Sequence, residues 1–245
     1  MTILNAPVIE LDTIDSTNNY AMRLIDADKA QAGMTISALE QTRGKGQRGR
    51  EWHTQPGQSL LMSIITSPDR ALREQFLYNA AIAIAVANYL NELHADWQVR
   101  IKWPNDIIIN DKKAGGILLE NIIRGSQWTY GIVGVGLNVL QESFPPELPN
   151  ATSLKMASGK EFSIIKMRNY LRERIIYNMY SPLSAKQVMD EYNNLLYKRG
   201  KKQRFSDDVN TWEVTILGAL SDGSLQVEQE RQIFQYSHGA QEWVW

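Results

Sequence analysis

The alternation of apolar and polar residues predicts a strand-rich first half of the chain. Segments 8–14, 34–40 and 59–67 are short and rich in β-branched or aliphatic residues, as strands of a sheet are. Four more strand-like segments follow at short intervals: VRIKW, DIIIN, GILLENII and WTYGIVGVGLNV. Because the short DKKAGG connection joins the second of these to the third, we expect a hairpin there.

Helical spacing of apolar residues appears in four other places. It is strongest over residues 70–93. A shorter helix is expected after residues 16–18, whose Ser-Thr-Asn side chains are placed to cap its N-terminus, and two more are expected at 163–180 and 184–196. Because strands and helices do not alternate throughout, the pattern favours an α+β fold, a mixed β-sheet with helices on one side.

The pattern changes near residue 198. The sequence KRGKKQR at 198–204 packs five basic residues into seven positions, and we interpret it as a solvated linker. Short strands separated by turn signals follow from residue 205 to residue 245, which predicts a small β-barrel or sandwich. We therefore expect a catalytic domain over residues 1–197 and a small C-terminal β-domain over residues 198–245.

Composition narrows the class of protein. Hydrophobic residues make up 43% and charged residues 22% of the 245 residues, as in ordinary globular proteins. The formal net charge of −1 makes long nucleic acid an unexpected partner. The sequence has no cysteine and only three widely separated histidines, so disulfides, zinc ribbons and cysteine nucleophiles are excluded.

Targeting and membrane signals are absent from the sequence. The N-terminal segment carries Asp and Glu early and lacks the basic-then-apolar pattern of a signal peptide. No apolar run approaches the roughly 20 residues that a membrane-spanning helix needs. We therefore expect a cytoplasmic protein that does not bind a membrane.

The most unusual stretch is RGKGQRGREW at 43–52, where four of the first eight residues are basic and three are glycine. It contains G-x-G-x-x-G, but a dinucleotide-binding fold needs a helix directly afterwards, and Pro56 and Gly57 disfavour one. Kinase and Walker A patterns are also missing. Two interpretations stay open: a solvated surface loop, or a mobile loop that a bound phosphate orders through glycine N–H groups and basic side chains.

Three shorter motifs each have an ordinary and a functional interpretation. KWPND at 102–106 interrupts strand pairing, and its Asn-Asp pair either forms a turn or faces a ligand. The lysine of KAGG at 113–116 lies either in a solvated hairpin turn or beside an anion. GVGLN at 134–138 places an asparagine in an apolar strand, where its amide needs hydrogen-bond partners.

Taken in order, five motifs resemble those of the biotin protein ligases. They are DSTN (15–18), Q-x-x-G-K-G-Q-R-G-R-x-W (41–52), KWPND (102–106), K-A-G-G-I-L-x-E (113–120) and G-V-G-L-N (134–138). The resemblance covers the large domain, and the small C-terminal domain fits the layout of that family. It implies a catalytic domain like that of class II synthetases, followed by an SH3-like β-barrel.

The resemblance also implies a reaction. Such enzymes join biotin and ATP into biotinyl-5′-adenylate, release pyrophosphate and pass the biotinyl group to a lysine of a biotin carboxyl carrier protein. The basic glycine loop would close over the adenylate and neutralise phosphate charge while the biotin carboxylate attacks the α-phosphate. Mg²⁺ would arrive with ATP, held largely by phosphates and by Asp106.

Site residues follow from their positions in the motifs. Catalysis is assigned to Lys113 and Lys45, with the compact ammonium of Lys113 between the biotin carboxylate and the α-phosphate. Residues implied to bind biotin are Ser16, Thr17, Asn18, Gln41, Lys45, Gly46, Gln47, Lys113 and Gly115. Residues implied to bind ATP or the adenylate are Arg43, Gly44, Arg48, Arg50, Trp52, Asn105 and Asn138.

The chain departs from the family pattern within the loop. Lys45 stands where the family usually has arginine, and Gln47 stands where it often has another. Lysine keeps the charge but loses the bidentate geometry of arginine, and glutamine loses the charge. We therefore expect the adenylate to be held less tightly than in relatives that carry both arginines.

Further expectations concern partners. DSTN begins at residue 15, which leaves no room for the helix-turn-helix domain of some relatives, so we expect no repressor activity and no sequence-specific DNA binding. Relatives often dimerise through the large sheet, and the oligomeric state stays open here. Two rival functions also stay open: a lipoate ligase or lipoyl transferase, and a nucleic-acid-binding module, which the near-neutral charge disfavours.

Overall fold

A computed structural model of the chain describes residues 3–69, 71–180, 183–207 and 209–245. Its first part forms a seven-stranded sheet in the order β1-β2-β3-β7-β6-β5-β4. Only β1 and β2 run parallel, so the prediction of a mixed sheet is confirmed. The strands are β1 (Val8–Ile14), β2 (Thr35–Gln41), β3 (Ser59–Thr66), β4 (Val99–Lys102), β5 (Asp106–Ile109), β6 (Lys112–Arg124) and β7 (Gln127–Asn138).

The predicted hairpin is confirmed, with a tighter turn than expected. Asn110 and Asp111 alone connect β5 to β6, and both have the positive φ angles that two-residue hairpin turns require. The segment KKAGG therefore belongs to β6, where it pairs with β5 on one side. The KWPND motif interrupts pairing as predicted, because β4 ends at Lys102 and β5 begins at Asp106.

The helices are α1 (Thr17–Asp26), α2 (Gln75–Leu93), α3 (Leu154–Ser158), α4 (Ile164–Met179) and α5 (Ala185–Leu195). The long helix predicted from residue 70 begins five residues later, after a 3-10 turn over Leu72–Glu74, and residue 70 lies outside the described residues. Almost every residue of α2 is buried. A helix that is apolar all round belongs in a core, and α2 packs against α4 and α5 on one face of the sheet.

Helices cover both faces of the sheet, so the prediction of helices on one side is wrong. Leu60, Met62 and Ile64 of β3 face the core that contains α2, whereas Ile65 packs in a second cluster with Ile25 of α1. All eight residues of β3 are buried. A strand that is apolar on both faces indicates two covering layers, because successive side chains point to opposite faces.

A second, five-stranded antiparallel sheet follows in the order β11-β10-β9-β8-β12. Its strands are β8 (Lys202–Ser206), β9 (Thr211–Ala219), β10 (Leu225–Gln229), β11 (Gln232–Tyr236) and β12 (Glu242–Trp243). The predicted small β-domain is confirmed as a fold element, while the boundary between residues 197 and 198 stays a prediction. The interpretation of residues 198–204 as a solvated linker is wrong for residues 202–204. These residues belong to β8, a strand in which Phe205 is buried.

The second sheet is hydrogen-bonded to the first part of the chain. The Asn193 side chain on α5 donates to the Ala219 carbonyl at 3.0 Å and accepts from the Ala219 N–H at 2.7 Å. The indole N–H of Trp103 donates to the Gly223 carbonyl at 3.0 Å. These contacts place β12 and the last residues of the chain beside the open end of β4.

One buried arginine joins α4 to the edge of the large sheet. The Arg172 guanidinium donates to the Thr35 hydroxyl at 2.9 Å and to the carbonyls of Leu4, Ala6 and Gly33 at 3.0, 2.9 and 3.0 Å. Burial lowers the pKa of this guanidinium. All four acceptors are uncharged, so the cation is stabilised by hydrogen bonds alone.

Replacing this arginine tests how much those bonds contribute. We expect Arg172→Met to lower the free energy of unfolding by about 3 kcal/mol, because it leaves three backbone carbonyls without their donor. The matched control is Arg174→Met on the same helix, where the exposed pair with Glu92 should contribute less than about 1 kcal/mol. Urea denaturation of both variants gives the comparison, and equal losses would contradict the assignment.

Candidate functional site

A cleft of about 800 Å³ opens beside the N-terminus of α1. Its floor is formed by β6 and β7, and one side is the loop that joins β2 to β3. The opposite side is residues 238–245, which we call the C-terminal wall. Both sheets therefore contribute to the cleft.

Two glycines of β7 make the floor possible. A Cβ atom added at Gly134 would lie 2.5 Å from the Asn18 amide oxygen, and one added at Gly136 would lie 2.8 Å from the Trp52 ring. Real Cβ atoms do not approach other atoms so closely. The glycines of the GVGLN motif thus allow α1 and Trp52 to lie directly on the strand.

A buried polar cluster surrounds the start of α1. The Gln41 amide oxygen accepts from the Thr17 backbone N–H at 2.7 Å and from its hydroxyl at 2.9 Å. The Ser63 hydroxyl lies 2.7 Å from the Thr17 hydroxyl and 2.5 Å from the Asn18 amide oxygen. Four of the residues predicted to bind biotin are brought together here, namely Ser16, Thr17, Asn18 and Gln41.

Glu120 was missed by sequence reasoning and connects this cluster to the loop. One of its oxygens accepts from the Asn18 side-chain amide at 2.7 Å, and the other pairs with the Lys45 ammonium at 3.2 Å. Its signal was its place as the last residue of K-A-G-G-I-L-x-E. Ser63 had no such signal, because it lies within a strand and outside all five motifs.

The basic loop folds back on itself above the cleft. The Gly46 N–H donates to the Arg50 carbonyl at 2.7 Å, and the Trp52 N–H donates to the Gly44 carbonyl at 2.9 Å. A Cβ atom at Gly44 would collide with the Trp52 carbonyl oxygen, so glycine is needed for the close return of the chain. The loop thus has a defined shape with only a short 3-10 turn over Gln47–Gly49.

The loop arginines contact the C-terminal wall. The Arg48 guanidinium donates to the Gly239 carbonyl at 2.6 Å, and the Arg50 guanidinium pairs with the Glu242 carboxylate at 2.6 Å. The Arg50 and Glu242 side chains are largely exposed, so this ion pair contributes little stability. It is a contact that an anionic ligand can replace.

Lys113 lies at the centre of the floor. Its ammonium pairs with the Asp106 carboxylate at 2.7 Å across the β5–β6 pair and lies 5.9 Å from the centre of the Trp52 ring. Asn105 and Asn138 are buried nearby. The amide of Asn105 donates to the Ile117 carbonyl, and that of Asn138 donates to the Thr152 carbonyl at 3.1 Å.

Most predicted site residues line this one cleft, and three do not. Arg43 and Gly44 line a neighbouring cavity of about 530 Å³ on the other side of the loop. Gly115 packs against β7, where an added Cβ atom would lie 2.7 Å from the Gly136 carbonyl oxygen, and its neighbour Gly116 faces the cleft instead. The predicted residues that line the cleft are Ser16, Thr17, Asn18, Gln41, Lys45, Gly46, Gln47, Arg48, Arg50, Trp52, Asn105, Asp106, Lys113 and Asn138.

Lys102 is a further cleft residue that sequence reasoning missed. It is the last residue of β4 and the first of KWPND, and only 7% of it is exposed. Burial lowers the pKa of its ammonium to about 8. The motif marked the segment, but only the fold shows that this lysine faces the C-terminal wall.

Metal-binding capacity is small. Within residues 3–69, 71–180, 183–207 and 209–245, no group of three histidine, aspartate or glutamate side chains is placed to hold an ion. The acid at the centre of the cleft, Asp106, is paired with Lys113. This donor set fits a cation such as Mg²⁺ that takes most of its ligands from phosphates and water.

In the same described residues, no helix is long and apolar enough to cross a bilayer.

Sequence relatives match half of the chain or more. The bifunctional ligase/repressor BirA of Bacillus spizizenii is 40% identical over 162 residues, which is 65% of this chain and 49% of that protein. A biotin–[acetyl-CoA-carboxylase] ligase of Paracoccus denitrificans is 36% identical over 126 residues, or 51% of each chain. The chain thus spans about half the length of these relatives.

The fold matches over nearly the whole chain. A biotin protein ligase of Aquifex aeolicus, solved with biotin and ATP, superposes with a TM-score of 0.79 over 96% of this chain and 97% of its own, at 24% identity. This confirms the α+β fold with its small C-terminal β-domain. The sequence model of the biotin/lipoate A/B protein ligase family matches residues 10–138, which include all five motifs of the cleft, and the chain therefore belongs to that family.

Proposed function

We propose that the chain is a biotin protein ligase. It would activate biotin with ATP to biotinyl-5′-adenylate and transfer the biotinyl group to a lysine of a biotin carboxyl carrier domain. The observation that carries this proposal is the Lys113 ammonium, which shares one cleft with the polar cluster of α1 and with the basic loop. A carboxylate and a phosphate that enter from these two ends would meet at that cation.

The two ends suit different parts of the substrates. The polar cluster offers the side-chain amides and hydroxyls that a ureido group needs for hydrogen bonding. The other end offers the flat indole of Trp52 over two glycines and the cationic loop, which suit a purine base and its phosphates. The biotin–[acetyl-CoA-carboxylase] ligase among the relatives supports biotin as a substrate and a biotin-dependent carboxylase as the target.

The first chemical step needs charge balance more than a base. The biotin carboxylate and the α-phosphate repel each other, and a fixed ammonium between them lowers the barrier by compensating both charges. Lys113 would do this once its pair with Asp106 is exchanged for the substrate oxygens. Asp106 is then available to Mg²⁺ that is carried by ATP, which supplies further charge compensation at the phosphates.

The transfer step needs an open path to the adenylate. The carrier lysine attacks the mixed anhydride as an amine, forms the amide and releases AMP. The loop arginines hold the C-terminal wall through two exposed contacts, so loop and wall can separate at low cost. No covalent intermediate on the protein is required.

The direct test is ATP–pyrophosphate exchange with each acid separately. We expect exchange that depends on biotin and is absent with lipoate, followed by transfer of labelled biotin to a carrier domain. The two acids differ where the polar cluster would bind, because lipoate has no ureido group. Exchange with lipoate in place of biotin would overturn the proposal and favour the lipoate branch of the family.

Lys113→Ala tests the central cation. We expect the rate of biotin-dependent exchange to fall about 10²–10³-fold, the effect typical of removing one preorganised charge-stabilising donor. Lys112→Ala is the control, because Lys112 is the exposed neighbour on the same strand and lies outside the cleft. Near-normal exchange by Lys113→Ala would show that the assignment of the catalytic residue is wrong.

Gln47→Arg tests retention of the adenylate. Gln47 lines the cleft at the top of the basic loop, so an arginine there should add a charge-assisted hydrogen bond to the phosphate. We expect biotinyl-5′-adenylate to dissociate about tenfold more slowly. Gln55→Arg adds the same charge to an exposed part of the loop outside the cleft and serves as control. A dissociation rate that Gln47→Arg leaves unchanged would count against the proposed role of this position.

A further inference from the structure

Among the described residues, Lys102 is a buried cation of the cleft without an anionic partner, whereas Arg48, which also lacks one, is exposed. Three other cations of the cleft form ion pairs. These pairs are Lys45 with Glu120, Lys113 with Asp106 and Arg50 with Glu242. In the part of the chain that the structure describes, no carboxylate lies within ion-pairing distance of the Lys102 ammonium. Yet Lys102 is more deeply buried than any of those cations.

Its neighbours are the aromatic residues of the C-terminal wall. The ammonium donates to the Trp243 carbonyl at 3.1 Å and lies 4.3 Å from the centre of the Trp245 ring and 5.4 Å from that of Trp243. An ammonium has three donors, and this carbonyl accepts one of them. The cation is therefore only partly compensated by the protein.

An uncompensated buried charge is costly. An aliphatic side chain would pack against the two tryptophans without losing hydration, whereas the ammonium loses much of its hydration there. The lowered pKa has the same cause, since desolvation is its largest contribution. The charged groups that act on Lys102 are two acids, Asp106 and Glu242, which raise its pKa, and two bases, Lys113 and Arg50, which lower it.

We propose that Lys102 is a further nucleotide-contacting residue, whose ammonium completes its coordination with the phosphate of the nucleotide in the cleft. This inference rests on the proposed function, because it takes the anion to be that of ATP or the adenylate. The residue would also position the C-terminal wall, since the same ammonium holds the Trp243 carbonyl. Nucleotide binding and closure of the wall over the cleft are then coupled through one cation.

A phosphate close to Lys102 raises the pKa of the ammonium, because an opposite charge favours the charged form. The free protein holds this pKa at about 8. Binding at pH 8 must therefore take up protons, approaching about 0.5 proton per site if the pKa rises well above 8. The His238 imidazole near the same wall has a pKa lowered by burial, and the Lys102→Arg variant retains it, so uptake that this variant loses belongs to Lys102.

The probe is biotinol-5′-adenylate, in which an alkyl phosphate ester replaces the reactive acyl phosphate, and this phosphate diester does not titrate near pH 8. Isothermal titration calorimetry in buffers of different ionisation enthalpy measures proton uptake directly. We expect uptake by the unmodified protein at pH 8 and little at pH 6.5, where Lys102 is already charged. Lys102→Arg should keep the affinity within a few-fold and lose the uptake, because arginine does not titrate.

Two variants separate this role from simple packing. Lys102→Met should lose the uptake and bind the analogue about tenfold more weakly. Lys198→Met is the matched control, because the Lys198 ammonium also lies over an aromatic ring, 4.9 Å from the centre of Tyr197, but outside the cleft. We expect it to change neither quantity.

The outcomes are distinguishable. Binding of the analogue without proton uptake at pH 8, or uptake that persists in Lys102→Arg, overturns the inference and leaves the proposed function intact. Absence of any binding by the unmodified protein overturns both. Because Lys102→Arg retains the charge and most of the volume, it decides the question even if Lys102→Met fails to fold.

Discussion

The site depends on a steric constraint at Gly134 and Gly136. A side chain at either position would collide with Asn18 or Trp52, so the backbone of β7 has to be bare on this face. With glycine there, α1 and the return of the basic loop both lie directly on the sheet. The polar cluster, the indole platform and Lys113 are thereby held within one cleft. The opposite face of the same strand carries Val135 and Leu137 into the core, which keeps it rigid.

The cations around this floor form ion pairs that a ligand can replace. Lys45, Lys113 and Arg50 each hold a carboxylate, and these acids prevent repulsion among cations that would otherwise crowd the same space. The partners are all partly exposed, so a more strongly anionic ligand can replace them without leaving a charge buried and unpaired. Such pairs preorganise the cations and cost little to exchange. Among the residues that the structure describes, Lys102 has no carboxylate partner, and in this respect it differs from these three cations.

The sequence predicted the large features because their signals are local. Period-two segments, the helical spacing before Leu93 and turn residues each depend on neighbours in the chain. The second helix layer was missed although the apolar residues on both faces of β3 indicate it, because β3 was interpreted only as a strand. The start of β8 was missed because KRGKKQR contains five basic residues, which are typical of a solvated segment. The buried Phe205 is the residue that indicates a strand of the sheet here. The recognised motifs contain most of the residues that line the cleft. They do not show which of Gly115 and Gly116 faces the cleft, and the sequence prediction named only Gly115.

Contacts between distant segments of the chain were the hardest to predict, and they include the partners of the basic loop. The family match ends at residue 138, yet the C-terminal wall supplies partners for Arg48, Arg50 and Lys102. Two of the loop arginines are thus engaged by the wall rather than directed at the floor. The lysines differ in their partners, because Lys45 and Lys113 pair with Glu120 and Asp106, whereas Lys102 donates to the wall without an ion pair. Lysine binds phosphate as a point charge without the bidentate geometry of arginine. In the proposed function, these lysines and Gln47 would favour charge compensation over tight geometric retention, and the C-terminal wall would influence nucleotide binding through the cations that it engages.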